Sequence, residues 1–202
     1  MVLAGACALL VPSIRLQLLS GVGNALVAED ALAPADIIVV GLDAPEAGAL
    51  EAADLVRKGI TRRVVVLAGS ETIVAQEFAR RGVAYEDPPT QSVRLLRDLG
   101  VERAELLRLP INGTEEAGQL LPKWCTQQHI QSLIVVTGAD HSRRVRRVLR
   151  RNMRETPTQV IVRASRYSAF APDRWWRQRG TLRSGIVELQ KLLLDLALHP
   201  VS

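Results

Sequence analysis

The fold is decided at residues 132–151, which read SLIVVTGADHSRRVRRVLRR. Residues 133–136 form an apolar, β-branched run of the kind that a parallel strand buried on both faces requires, and a Thr-Gly pair ends it. Residues 140–142 then open a helix. In an open α/β sheet such a loop lies at the carboxyl end of a strand, where free backbone N–H groups and the helix dipole favour an anion. The stretch therefore predicts a strand, a binding loop and a helix in that order.

The helix after this strand divides its side chains between two faces. At about 100° per residue, His141 shares one side with the apolar residues, while most of the arginines fall on the other. We expect most of those arginines to face water; the alternative is a membrane surface, because a basic face also suits anionic lipid headgroups. Arg144 flanks the apolar stripe, one turn after His141. Both residues are predicted to contact a ligand, against a packing role for His141 and a solvated rim charge for Arg144.

Length and composition favour one substantial α/β domain. The chain has 202 residues, 48% of them hydrophobic and only 3% aromatic, which fits an Ala, Leu and Val core of helices on a sheet. Single-stranded nucleic acid needs aromatic side chains interleaved with basic ones, so a nucleic-acid partner is disfavoured despite the net charge of +5. Cys7 and Cys125 have neither a metal-ligand spacing nor a nucleophile signature, and we predict no metal site.

An apolar N-terminus precedes the first strand. Residues 1–14 are almost continuously apolar, which is shorter than the roughly 20 residues that span a bilayer, and no basic region comes before them. Residues 16–27 continue as a weaker apolar stretch. The pattern fits either a membrane anchor or export signal missing its first residues, or an amphipathic helix lying on the sheet. We therefore divide the chain into an apolar helix at 1–28 and an α/β domain at 29–202.

Strand and helix signals alternate along the rest of the chain. Strands are predicted at 36–42, 62–68, 105–109, 133–136 and 158–164, and helices at 47–58, 71–81, 91–99, 114–128, from 140 onward and at 184–198. This alternation predicts an α/β fold, a Rossmann-like three-layer sandwich with a parallel sheet of about five strands. The switch-point crevice is then lined by the loops at 42–46 and 137–141.

Three further groups of residues are candidates. Glu115 and Glu116 lie in the first turn of a helix, where they either complement its dipole or face a ligand. Trp175 and Trp176 are adjacent and cannot both point inward, so one covers a cleft or a membrane surface unless both pack within the loop. Glu188 falls in a polar stripe of the closing helix whose leucines make the buried face, and this spacing predicts that Glu188 faces solvent.

Five pieces of the chain keep a specific order and spacing. They are LVAEDALAPADIIVVG at 26–41, VRKGITRRVVVLAG at 56–69, NGTEEA at 112–117, VTGADHSRR at 136–144, and DRWW at 173–176 together with the late helix. In these pieces the chain resembles the YdcF/SanA/ElyC-like family, a bacterial domain of unknown function. The similarity covers residues 26–198, nearly the whole globular part.

The resemblance implies a Rossmann-like domain, often behind an N-terminal membrane segment, in proteins linked to cell-envelope or peptidoglycan integrity. It also implies a polar cleft formed by an Asn/Glu motif, a His-x-x-Arg motif and a late Glu. By position these fall on Asn112 with Glu115 or Glu116, on His141 with Arg144, and on Glu188. The helix pattern supports the His-x-x-Arg pair and argues against the late Glu, unless its helix lies across the cleft mouth.

This chain departs from the family pattern at two loops. Family members usually carry paired glycines after the first strand, where this chain has Gly41-Leu42. They carry Ser-Gly-Gly after the second strand, where this chain has Ala68-Gly69-Ser70. Glycine lets the backbone approach a phosphate closely, so these losses weaken the implied phosphate site.

We therefore expect an envelope-associated protein, anchored in the inner membrane with a periplasmic or other extracytoplasmic domain; a cytoplasmic location is the alternative. Its expected partner is an anionic small molecule, nucleotide-like or a lipid-linked phosphate. In a hydrolase or transferase, Arg144 would hold the anion and His141 would transfer a proton, with Glu115 or Glu116 as base or as the group that orients the imidazole. The predicted ligand-binding set is Gly41, Asp43, Gly69, Ser70, Asn112, Gly138, Asp140, Arg144, Trp175 and Glu188.

Two other functions also fit the sequence. One is a non-catalytic envelope binding protein whose degenerate loops no longer hold a ligand. The other is a protein that binds the methyl donor S-adenosylmethionine, which depends only on the family resemblance and the Rossmann-like fold.

Overall fold

The structure is built on a five-stranded parallel sheet, and the computed structural model describes residues 12–200. The strands are β1 (Ile37–Val40), β2 (Arg63–Ala68), β3 (Arg103–Arg108), β4 (Ser132–Thr137) and β5 (Gln159–Ala164). The helices are α1 (Pro12–Leu26), α2 (Pro45–Arg57), α3 (Ile73–Arg80), α4 (Pro88–Asp98), α5 (Thr114–Gln127), α6 (Ser142–Met153) and α7 (Arg179–Leu198). The strand order is β3-β2-β1-β4-β5, and every pair is parallel. The predicted Rossmann-like α/β fold is therefore confirmed.

Helices cover both faces of the sheet, so the central strands are apolar throughout. All four residues of β1 are buried, and successive residues enter different cores. Val39 belongs to a core with α5 and α6, and Val40 belongs to a core with α2 and α4. Val39 also pairs with Val135 of β4. This register brings the loops after β1 and β4 side by side.

A third core holds α1 and α7 against the rest of the molecule. Leu26 of α1, Leu192 of α7, Phe170 and Trp175 are buried together. Trp175 also donates its indole N–H to the carbonyl of Leu19 at 2.8 Å. The segment after β5 thereby fastens α1 to the domain.

The closing helix α7 differs from its prediction in length and in orientation. It begins at Arg179 instead of residue 184. Glu188 and Asp195 are only 1% and 5% exposed, whereas Leu193 and Leu194 are 58% and 60% exposed. The prediction that Glu188 faces solvent is wrong, because α7 packs on the arginines of α6 and those arginines attract its carboxylates.

The prediction that most arginines of α6 face water is also wrong. Arg147 donates to Asp195 at 2.6 Å. Arg146 and Arg150 both pair with Asp30 at 2.9 Å. The residues after α1 and the inner side of α7 partly cover this basic face, and their carboxylates pair with its arginines.

Helix α1 packs mainly against α6 and α7. The alternative prediction of an amphipathic helix had placed it on the sheet. Residues 1–11 of the predicted apolar N-terminus lie outside the described residues. Within residues 12–200, no helix combines the length and the hydropathy that a bilayer crossing requires.

Candidate functional site

A cleft lies at the carboxyl edge of the sheet, between the neighbouring strands β1 and β4. The order of the strands reverses at this point, which is where open α/β sheets form a ligand crevice. The cleft has a volume of about 760 Å³ and extends from the loops after β1 and β4 to the last two turns of α7. Its floor is apolar and comprises Val39, Leu121, Val135, Val145 and Leu149, with Leu67 and Ala117 beside them.

The buried carboxylate of Glu188 pairs with three basic side chains at the cleft wall. Glu188 Oε2 accepts hydrogen bonds from His141 Nδ1 at 3.1 Å and from Arg144 Nε at 2.8 Å. Glu188 Oε1 accepts one from Lys191 Nζ at 2.8 Å. The three basic side chains line the cleft, and the Glu188 carboxylate lies behind them. We call these four residues the Glu188 cluster; its basic groups share the cleft lining with the carboxylates of Asp43, Glu115, Glu116 and Asp195.

The charges of the Glu188 cluster reinforce one another. Burial lowers the pKa of His141, but the hydrogen bond to Glu188 and the charges of Asp43 and Asp140 outweigh burial and raise this pKa above its ordinary value. Burial raises the pKa of Glu188, but hydrogen bonds from His141 and Arg144 outweigh it and hold this pKa well below its ordinary value. Imidazolium and carboxylate are therefore favoured together, and His141 is suited to donate a proton.

The carboxylate of Asp43 occupies the loop after β4, where an anion was predicted to bind. Its carboxylate accepts the backbone N–H of Gly138 at 2.6 Å and the hydroxyl of Thr137 at 2.8 Å. A Cβ on Gly138 or on Gly41 would lie 2.9 Å from that carboxylate, so both glycines make room for it. The Gly138 N–H is therefore already bonded within the protein, and Arg144 and Lys191 are the charged donors that the cleft offers an anion.

The Asn/Glu motif forms another part of the wall. Asn112, Glu115 and Glu116 all line the cleft. Glu115 pairs with Arg151 at 2.8 Å, and Glu116 accepts the backbone N–H of Asn112. Both carboxylates thus have other partners, and the group that orients the imidazole is Glu188 instead of either of them.

Some predicted site residues lie outside the cleft lining. Gly69 and Ser70 follow β2 and pack on Ile111, where a Cβ on Gly69 would lie 2.5 Å from the Ile111 carbonyl oxygen. Trp175 is enclosed in the third core, so its predicted ligand-binding role gives way to the packing alternative. Asp140 is 7% exposed and lies 4.0 Å from the imidazole Nε2, where it acts through its charge.

The helix pattern missed the contribution of α7 to the cleft, whereas the family resemblance had placed Glu188 there. Lys191, Leu194 and Leu198 all line it. A signal for this docking exists in the spacing of charges: two acidic residues of α7 lie seven positions apart, as do the two arginines of α6 that they meet. The pairs are Glu188 with Arg144 and Asp195 with Arg151.

The arrangement suits an anion that carries an apolar group. Arg144, Lys191 and protonated His141 can bind or protonate the anion, and the leucine and valine floor can bury hydrocarbon. Across residues 12–200, we found no cluster of three or more His, Cys, Asp or Glu side chains that could hold a metal ion.

The fold and cleft define a Rossmann-like α/β protein with a cleft at the switch point of its sheet. The sequence matches no protein-family model and no curated protein. Among solved structures, it is similar to the universal stress protein from Archaeoglobus fulgidus in complex with dAMP, with a TM-score of 0.38 and 14% sequence identity. That alignment covers 65% of this chain and 98% of the other. We therefore infer the function of this chain from the residues of its own cleft.

Proposed function

We propose that this protein binds a small amphipathic anion of the lipid-linked phosphate class in the switch-point cleft. In the same proposal it is a hydrolase or transferase in which Arg144 and Lys191 hold the anion and His141 donates the proton. The observation that carries the proposal is the Glu188 cluster. Its three basic side chains line the same cleft as the apolar floor, and an amphipathic anion can contact both surfaces.

The cleft favours a lipid-linked phosphate over a nucleotide. No Trp, Tyr or Phe side chain of residues 12–200 lines it, so a base would have only imidazole and guanidinium groups to stack on. The Gly138 N–H, which would receive a nucleotide phosphate in a glycine-rich loop, is already bonded to Asp43.

We extend the proposal to the family and the location that the sequence motifs suggest. The Asn/Glu motif, the His-x-x-Arg motif and the late Glu of the YdcF/SanA/ElyC-like family fall on residues that meet at this cleft. Their meeting supports distant membership of that family. It also supports a role in cell-envelope or peptidoglycan integrity, in which the domain is membrane-anchored and extracytoplasmic.

A thermal-shift titration of the full chain tests ligand class. Farnesyl phosphate at about one hundred times its Kd is expected to stabilise the protein by roughly 2.7 kcal/mol, whereas AMP and S-adenosylmethionine are expected to have no effect. Arg144→Gln should abolish the shift. Arg80→Gln is the matched control, because Arg80 is exposed on α3 and pairs only locally with Glu77.

The outcomes separate the proposal from its rivals. A shift with AMP or the methyl donor but not with farnesyl phosphate would overturn the ligand class. Catalysis is tested by release of inorganic phosphate from farnesyl phosphate, and His141→Gln should slow it by at least about a hundredfold. Binding without any release would rule out hydrolysis and leave a transferase or the non-catalytic binding protein.

A further inference from the structure

A second groove lies on the other side of α7 from the cleft. It runs between α6 and α7 and has a volume of about 270 Å³. We call it the arginine groove; its lining is Arg143, Arg146, Arg147, Arg150, Leu192 and Leu196. The groove therefore combines four guanidinium groups with an apolar edge.

The guanidinium groups of the arginine groove have more donors than the protein has acceptors for them. Arg146 and Arg150 share the single carboxylate of Asp30. Arg143 donates to backbone carbonyls, that of Val27 at 2.7 Å. The Nε atoms of Arg143 and Arg146 are buried without a hydrogen-bond partner, and within residues 12–200 no other buried side-chain nitrogen or oxygen is in that state. Among the described residues, the four guanidinium groups thus face only the carboxylates of Asp30 and Asp195, which leaves the arginine groove with an excess of positive charge.

The outward side of α7 beside this groove is apolar. Its exposed residues include Ile186, Val187, Leu193, Leu194, Leu196 and Leu198, with Leu193 58% exposed. The first half of α1, which packs beside α7, also exposes Ile14 and Leu18, which lie on one side of that helix. We call these eight side chains the leucine face. Apolar side chains this exposed on two neighbouring helices are characteristic of a binding surface.

The leucine face carries no negative charge. Helix α1 has no acidic residue, and the two of α7, Glu188 and Asp195, are buried in ion pairs. The exposed charges of these helices are basic and include Arg15, Arg183 and Lys191. The surface is thus apolar at its centre and positive around it.

We propose that the leucine face docks on an anionic lipid bilayer and that the arginine groove takes a lipid headgroup phosphate. Exposed leucines supply interfacial burial and the basic residues supply attraction to anionic lipid, the two terms that hold an amphipathic helix at a membrane surface. This docking is separate from the chemistry of the switch-point cleft. It places the cleft wall formed by Leu194 and Leu198 next to the bilayer.

A second copy of this chain is a poorer occupant. A symmetric dimer through the same face would bring two arginine grooves, each with unsatisfied donors, close together. Like charges at an apolar interface repel strongly because the surroundings screen them weakly. An anionic bilayer supplies both the acceptors and the apolar phase.

Vesicle co-sedimentation of the full chain tests this proposal. Vesicles of phosphatidylglycerol and phosphatidylcholine should bind the protein at least about tenfold more tightly than pure phosphatidylcholine. Leu193→Glu should weaken binding to the mixed vesicles by about tenfold or more, since it replaces an inserted side chain with a charge. Ile73→Glu is the control, because Ile73 is 84% exposed on α3 and lies outside the leucine face.

Each contrary result has a defined meaning. Unchanged binding by Leu193→Glu would overturn the proposal and assign membrane affinity to residues outside the leucine face. Equal binding to neutral and mixed vesicles would also overturn it. So would sedimentation equilibrium showing a dimer that Leu193→Glu dissociates, since the face would then be a protein interface. Arg144→Gln should bind vesicles normally, so failure of the cleft proposal stays distinguishable.

Discussion

Replacing Glu188 with glutamine is expected to lower the free energy of unfolding by about 3 kcal/mol at pH 7. Glu188 is 1% exposed and accepts hydrogen bonds from His141, Arg144 and Lys191. Removal of its charge leaves Arg144, only 11% exposed, beside two other cations without a counter-ion. Breaking a buried ion pair from one side is costly because the remaining charge stays desolvated. Urea unfolding followed by circular dichroism measures the change.

Glu115→Gln is the control for this prediction. Glu115 also pairs with an arginine, Arg151, but its side chain is 51% exposed. An exposed pair contributes less than about 1 kcal/mol, so this variant should unfold almost as the wild type does. If Glu188→Gln were no more destabilising than Glu115→Gln, the Glu188 cluster would not be the organising feature of the cleft.

The second large effect is expected from Gly23→Ala in α1. A Cβ there would lie 2.3 Å from the carbonyl oxygen of Pro172 and 2.8 Å from the Trp175 ring. Backbone cannot yield as a flexible side chain does, so α1 must shift away from the third core, at a cost of about 2 kcal/mol. Thermal unfolding measures the loss, and tryptophan fluorescence should report the displaced indole of Trp175.

Gly21→Ala provides the matched control two residues earlier in the same helix. A Cβ at Gly21 meets no atom within 4 Å. Alanine also favours the helix over glycine, so this variant should match the wild type or gain up to about 1 kcal/mol. Equal destabilisation by the two substitutions would show that α1 is not docked as described.

The architecture was predictable because buried parallel strands are distinctive. Residues 133–136 and the first strand are continuous β-branched runs, and such runs alternating with helical patterns leave few folds to consider. The edge strand β3 was the weakest signal, since its residues Arg103–Arg108 are mostly exposed and lack that run. Position at a strand end likewise indicated His141 and Arg144 without any tertiary information.

The helix pattern could not predict that His141 and Arg144 pair with Glu188. The pattern assumes that a helix buries its leucines, whereas α7 buries Glu188 and Asp195 and exposes Leu193. Helix α7 buries these carboxylates because the arginines of α6 lie across the interface. The periodicity of one helix carries no information about such a neighbour. The buried position of Trp175 was not predictable from local sequence either, because it depends on α1, which lies far away in the sequence.

The most direct test is an NMR titration of the His141 imidazole in the wild type and in Glu188→Gln. We expect a wild-type pKa above the ordinary value of 6.5 and a lower pKa in the variant. The stability that protonated His141 contributes is then complete below about pH 6.5 and is lost as the pH rises through the folded-state pKa. A wild-type pKa at or below 6.5, or one that Glu188→Gln leaves unchanged, would contradict the central role of Glu188 in charging the cleft.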